Sequence, residues 1–441
     1  MKQNNNQTNI THLRPQPVVI PQCDHIISRD QISENALKVL YRLKSGGYSA
    51  YLVGGSVRDM LLGREPKDFD VVTDALPEQI RELFRNSRLI GRRFRLAHVR
   101  YGGEVIEVST FRAHHNSDTS EGNSVEGRII RDNVYGTIGE DVWRRDLTVN
   151  ALYYNIEDHT VVDYVSGMAD IKSGQIRLIG DPTQRYTEDP VRMLRAVRFA
   201  VKLGFRIDPA SETPIRKING LLSDIPSARL FEECLKLFLG GDALQSFESL
   251  RHYDLFRFLF PQTDEVLSQQ EGGFPQTMVI HALRDTDNRI ANDKPVTPGF
   301  LIAAFLWMPM INLAKQYKQN GVPHNEAIIL ASDVVISKQV SCTAMPRRFT
   351  QMARDIWHIQ SRLEKTRGNW PQRLLSHPKI RAAYDFLLLR NKSGENVDEL
   401  ASWWTDFINR PETVKLLAKN HKTGRNTQRN RHHRKQKPVQ K

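Results

Sequence analysis

Residues Tyr51–Thr73 read YLVGGSVRDMLLGREPKDFDVVT and place two chemical devices close together. Gly54 and Gly55 let backbone amides approach a ligand without obstruction by a Cβ. The short helix expected behind them offers unpaired N–H groups to phosphate oxygens. Ser56 adds a hydroxyl and Arg58 a charge-assisted fork. Asp68 and Asp70, two apart in an apolar run, project from one face of a strand. Carboxylates so placed repel one another unless a cation lies between them, and Mg²⁺ favours oxygen ligands shared with substrate phosphates. Glu107, central in the strand run Glu104–Thr110, is the natural third carboxylate. Together these read as a polymerase-type site for a metal–nucleoside triphosphate. Asp285 and Asp287 share the spacing but lie in a helical stretch without a glycine platform, and read as a solvated face.

Two further constellations follow downstream. In RRDLTVNA, Arg144–Ala151, Arg145 is a candidate for phosphate contact, and Asp146 and Asn150 for a ribose hydroxyl. In EDPVRMLRAVRFAVKLGF, Glu188–Phe205, Met193, Leu194, Val197, Ala200 and Val201 form the buried stripe of a helix. Glu188, Arg192 and Arg195 point away from that stripe, with Asp189 and Arg192 as i, i+3 neighbours. An aspartate accepting from an exocyclic amino group beside an arginine donating to the adjacent ring nitrogen matches the pairing edge of adenine or cytosine. Guanine and uracil present the reverse order. Such a pair admits ATP and CTP and does not by itself separate them.

Around these motifs the pattern alternates. Helical spacing over 31–47 is followed by a strand at Tyr48–Val53, a helix at Ser56–Leu62, a strand at Phe69–Thr73 and a helix at Pro77–Asn86. Strands are expected at Arg95–Tyr101 and Val105–Phe111. Residues 113–140 are polar and Gly/Ser-rich and read as a mobile loop. Short strands return at Leu152–Ile156, Val161–Tyr164 and Ile176–Ile179, and after Glu188 the pattern is helical almost to residue 410.

Composition bounds the class. The 441 residues exceed one typical domain, and 39% of them are apolar. No window approaches the apolar length of a membrane span, and the polar N-terminus lacks the apolar core of a secretory signal. Three scattered cysteines fit free thiols in a reducing cytoplasm. The net charge is +13, and ten Lys and Arg without one acidic residue lie between Lys415 and Lys441, leaving +3 for the rest. That arm, with Arg425, Arg429, Arg431, Arg434, Lys435 and Lys437, is too poor in apolar residues to fold alone and fits an anionic polymer. A solubilising tail is the plain alternative.

LVGGSVRD with DFD, then RRDLTVNA, then IGDPTQRYTEDPVRMLRAVRFA and IPSARLFEECLKLFLGG, resemble in order and spacing the motifs of class II nucleotidyltransferases. That group contains bacterial poly(A) polymerases and CCA-adding tRNA nucleotidyltransferases, and the match covers roughly residues 35–245. The resemblance implies an α+β chain with a polymerase-β-like nucleotidyltransferase head (a small mixed sheet with helices), then an all-helical neck and body. On that plan residues 1–30 form a disordered N-terminal segment. The head spans 31–180, the neck with its base-recognition helix 181–245, the RNA-binding body 246–412 and the disordered basic arm 413–441.

The same resemblance implies Asp68 and Asp70 as metal ligands and Gly54, Gly55, Ser56 and Arg58 at the triphosphate. Asp189 and Arg192 become the protein's substitute for a template. LIGRRFRLAHV, Leu89–Val99, is similar to the signature of the poly(A) polymerase branch. The implied activity is template-independent addition of AMP from ATP to RNA 3′ ends, affecting mRNA processing and turnover. Mg²⁺, with Mn²⁺ left open, is the implied cofactor, and RNA rather than DNA the partner. Two rivals stand beside it, a CCA-adding enzyme and a non-catalytic RNA-binding protein on the same scaffold.

Phosphate contacts from a basic arm give a sequence-independent, salt-sensitive hold on RNA. Deleting residues 415–441 should therefore weaken RNA binding and processivity, flatten the salt dependence of primer extension and leave dinucleotide-level chemistry largely intact. Equal salt slopes for full-length and truncated protein count against the arm.

Overall fold

A computed structural model describes residues 16–91, 95–113, 124–125, 128–129, 134–269, 277–411 and 413. Arg92, Arg93, most of the expected mobile loop and the basic arm from residue 414 on, with Arg425, Arg429, Arg431, Arg434, Lys435 and Lys437, lie outside the described residues. The chain forms two compact units, residues 1–215 and 216–441. The division falls inside the stretch 181–245 expected to be a separate neck.

The first unit is built on a mixed sheet of eight strands. In chain order these are β1 (Val18–Ile20), β2 (Ala50–Val53), β3 (Asp70–Thr73), β4 (Ser87–Ile90), β5 (Leu96–Tyr101) and β6 (Glu104–Thr110). A small separate hairpin, β7 (Ser124–Val125) and β8 (Arg128–Ile129), precedes the last two sheet strands, β9 (Leu152–Tyr154) and β10 (Val161–Asp163). The spatial order is β1-β10-β9-β2-β3-β6-β5-β4. Helices α1 (Glu34–Ser45), α2 (Gly55–Leu61), α3 (Pro77–Leu83), α4 (Ile138–Arg144), α5 (Gly167–Ser173), α6 (Pro182–Glu188) and α7 (Val191–Leu203) accompany it.

Local chemistry explains the boundaries. The Ser33 hydroxyl caps α1 by accepting from the Ala36 amide at 3.1 Å, and Gly46–Gly47 ends that helix with Gly47 at φ +84°. Ala36, Val39, Leu40 and Leu43 make its buried stripe. Between β2 and α2 the chain turns at Gly54, whose φ of +77° and ψ of −129° favour glycine. On the sheet Val53, Val72 and Tyr153 join Phe111, Val142, Ala151 and Ile179 in one apolar cluster.

Several readings of local structure from sequence need correction, and the strand expected at Ile176–Ile179 is confined to Gln175–Ile176. Residues 16–30, expected to lack structure, contain β1, which pairs antiparallel with β10, and a capped 3₁₀ turn at Arg29–Gln31. The polar stretch read as loop to residue 140 already contains the start of α4, where Thr137 and Glu140 form a reciprocal capping box. The helix from Pro77 stops at Leu83, and Ser87–Ile90 is a strand pairing with β5.

The second unit is helical. Its long helices span Ser227–Phe238, Ala243–His252, Thr277–Ala291, Trp307–Gln319, His324–Cys342, Arg347–Leu363, Ile380–Lys392 and Asp398–Asn409. Buried indoles tie it together: Trp357 donates to the Ala303 carbonyl at 3.1 Å and Trp404 to the Leu363 carbonyl at 2.8 Å. Asp287, expected on a solvated face, accepts from the Ala243 and Leu244 amides and so caps a neighbouring helix, while Asp285 pairs with Lys392.

Gly167 at the start of α5 lies against the 3₁₀ turn Thr148–Asn150, and a methyl there would sit 2.3 Å from the Thr148 carbonyl oxygen. Gly167→Ala should cost about 1–3 kcal/mol by overpacking against backbone. Gly103→Ala, where a methyl meets nothing within 4 Å, should move the melting temperature far less in the same thermal scan.

Candidate active site

Strand register assembles the site. Tyr153 on β9 lies opposite Val53 on β2, Val53 opposite Asp70 on β3, Asp70 opposite Glu107 on β6, and Glu107 opposite His98 on β5. Paired residues share a face, so one row across five strands carries Tyr153, Asp70, Glu107 and His98. Asp68 lies just before β3, two residues from Asp70, with Phe69 between them turned into the core. The Gly54 turn closes over the row: a methyl on Gly54 would lie 3.9 Å from Asp70 Oδ2 and 3.9 Å from Arg145 Nη1.

The electrostatics of this groove are unbalanced. Surrounding protein, then the neighbouring Glu107 and Asp68 charges, push the Asp70 carboxyl up to about 6, against the opposing pull of Arg145. Asp70 keeps open surface to solvent, so a cation can reach the carboxylate. Oxygen donors carrying uncompensated negative charge suit a hard divalent ion. The fit is to the aspartate pair: among the described residues no three His, Cys, Asp or Glu side chains converge as metal ligands. Glu107 instead faces His98, with Nε2 at 3.2 Å.

The arginines are arranged otherwise than expected. Arg58 is buried. Its Nη1 donates to Asn150 Oδ1 at 2.5 Å, its Nε and Nη2 to Asp59, and its guanidinium packs on Phe199 with 5.2 Å to the ring centroid. It therefore fixes α2 and Asn150 in place, with Nη2 lying beneath Gly55, rather than forking outward. The Ser56 hydroxyl, also buried, donates to the Val53 carbonyl. Among the described residues Arg145 presents Nη1 to the Gly54 turn. Burial works against its charge, but Tyr153 and Asp141 hold it protonated.

A second network surrounds the expected ribose and base contacts. Asp146 pairs with Arg195, and although burial favours its neutral form, that charge and the Leu147 amide keep the carboxyl below its ordinary range. Arg192 donates to the Arg185 carbonyl at 2.7 Å and to Glu188 at 3.1 Å. Asp189, between α6 and α7, accepts from the Val191 amide at 3.3 Å. Arg185 joins the two motifs, donating to Glu188 and to the carbonyls of Arg144 and Arg145. Asp141, Tyr153 and Arg185 escaped the sequence reading. The i, i+4 spacing of Asp141 and Arg145 on a capped helix was the available signal.

Comparison with known proteins finds relatives over most of the chain. Residues 50–177 match the family described as Poly A polymerase head domain, 204–267 that described as probable RNA and SrmB-binding site of polymerase A, and 320–438 the polymerase A arginine-rich C-terminus. Poly(A) polymerase I of Escherichia coli O157:H7 is 50% identical over 89% of this chain and 86% of its own length. A CCA-adding enzyme of Lactobacillus helveticus is 39% identical, over 48% of this chain and 52% of its own. Among solved structures, the Bacillus stearothermophilus CCA-adding enzyme in complex with CTP aligns with a TM-score of 0.54 at 25% identity, covering 85% of this chain and 81% of that one.

The raised Asp70 pKa has a definite sign. Between the ordinary 3.8 and about 6 the folded chain keeps a proton that the unfolded chain has lost. Stability from this group is thus lost as pH rises through that window, and the deficit persists above it. In chelator, Asp70→Asn should melt higher than the parent protein at pH 8, and the gap should narrow at pH 5. Divalent cation should raise the parent's melting temperature more than the variant's; a gap independent of pH contradicts the assignment.

Proposed function

This chain belongs to the poly(A) polymerase family, and from that premise we propose that the groove between Gly54 and Asp70 binds ATP together with a divalent cation. The protein is a polynucleotide adenylyltransferase that adds AMP to RNA 3′ ends without a template. The observation that carries the site assignment is the apposition of the Asp70 carboxylate to the Gly54 turn.

The chain's own groups divide the work. Amides at Gly54, Gly55 and Ser56 lie where a triphosphate can receive them, and Arg145 presents Nη1 from the other side. Arg58 acts through Asn150, keeping that side chain in reach of the ribose. Asp189 and Arg192 read the adenine pairing edge, with Arg195 steadying Asp146 beside them. When held by Asp68 and Asp70, Mg²⁺ supplies activation of the attacking 3′-hydroxyl and neutralisation of the departing pyrophosphate. Glu107 enlarges the negative field at Asp70. The basic arm, through Arg425, Arg429, Arg431, Arg434, Lys435 and Lys437, holds RNA of varied sequence. Among the described residues no single helix is long and apolar enough to cross a membrane; we place the activity in the cytoplasm, where RNA 3′ ends and ATP meet.

Asp68→Ala should lower incorporation by roughly a thousand-fold or more, as expected for losing metal-based charge stabilisation, while RNA binding stays near the parent level. Arg192→Ala should cut the preference for ATP over GTP by about ten-fold, the worth of one charge-assisted hydrogen bond. Both are read from single-nucleotide incorporation on an unstructured RNA primer with each of the four nucleotides. Preferential C-then-A addition on tRNA lacking its 3′ end would overturn the poly(A) reading.

A further inference from the structure

The proposed chemistry makes no direct use of Asp141 or Tyr153, yet both are buried polar groups and both aim at one arginine. Asp141 Oδ2 receives Arg145 Nε at 3.1 Å and Nη2 at 2.9 Å. The Tyr153 hydroxyl accepts from Arg145 Nε at 2.8 Å and donates to the same Asp141 oxygen at 2.9 Å. The Tyr153 ring lies under the guanidinium, with 5.1 Å to its centroid. Asp141 Oδ1 meets the Arg112 amide at 3.4 Å and Arg144 at 3.6 Å. The carboxylate is thus tied to the end of β6 and to its own helix.

One edge of the Arg145 fork is consumed by this clamp, and the other, Nη1, faces the Gly54 turn. An arginine at this place without the clamp has an alternative to a phosphate: the Asp70 carboxylate, whose Oδ2 lies at the same Gly54 turn. Ion pairing there would occupy a metal ligand and withdraw the cation from the substrate at once. We propose that Asp141 and Tyr153 are positioning residues for nucleotide binding, which aim Arg145 at the triphosphate and keep it off Asp70. The inference rests on the groove being the ATP site. A guanidinium locked before the ligand arrives loses little conformational entropy on binding, so the gain appears in affinity for the phosphate end.

The test uses full-length Asp141→Asn, Tyr153→Phe and Arg145→Ala with three probes. Inorganic tripolyphosphate reports the phosphate contacts, adenosine the base and ribose contacts, and the primer KM the RNA contacts. Asp141→Asn should raise the tripolyphosphate inhibition constant and the KM for ATP about ten-fold, the loss of one charge-assisted hydrogen bond, with kcat falling less. Adenosine inhibition and primer KM should stay within about two-fold. Tyr153→Phe, which removes a single oxygen, should shift the same two constants by a smaller factor, and it decides the matter if Asp141→Asn does not fold.

Unchanged tripolyphosphate inhibition in both variants, with Arg145→Ala impaired, refutes the positioning role alone. Equal losses for tripolyphosphate, adenosine and primer refute it as well, by showing general structural damage. Tripolyphosphate inhibition that survives Arg145→Ala removes the ATP-groove reading and this proposal with it.

Discussion

Backbone pairing in the middle of the sheet governs the arrangement of the candidate groove. The sequence of opposed residues, Tyr153–Val53–Asp70–Glu107–His98, comes from strand register and not from direct attraction between the side chains it aligns. Asp70 and Glu107 repel, and apolar packing of Val53, Val72 and Tyr153 beside them holds the strands in place. A slip of one residue between β2 and β3 would turn Asp70 to the opposite face and Phe69 out of the core. The apolar alternation around the aspartates thus enforces an arrangement that electrostatics opposes.

Charge around the groove follows a consistent rule. The arginines of the three motifs are already held: Arg58 by Asp59 and Asn150, Arg145 by Asp141 and Tyr153, Arg195 by Asp146, Arg192 by Glu188. Among the described residues Asp70 has no such partner, and Glu107 and Asp68 add to the negative charge beside it. Cations are fixed in advance and negative charge is left to recruit its own, which suits a ligand arriving as a metal–phosphate complex.

How far the sequence could be read depended on the range of the interactions. The Gly54 turn, α2 and the Asp68–Asp70 pair are set by near neighbours, and their places follow from spacing. The assignment of Arg58 to an outward fork did not survive, because its partner Asn150 lies far along the chain and only the β2–β9 pairing brings them together. β1 was missed for a similar reason: three residues acquire strand identity only from β10. The start of α4 was legible in the Thr137–Glu140 capping box, but the polar composition of the preceding segment masked it. Family resemblance carried the assignment of function; the buried clamp at Arg145 takes shape only where β9 packs beside α4.

The interleaving of strands also sets when the groove can exist. β2 is bracketed by β3, its near neighbour in sequence, and by β9, which follows roughly a hundred residues later, so a chain emerging from the ribosome carries its glycine turn and aspartates long before Arg145 and Tyr153 arrive. Until then β2 has an open edge and the acidic pair has no arginine opposite it. The row of residues across the sheet is therefore complete only once β9 has paired with β2.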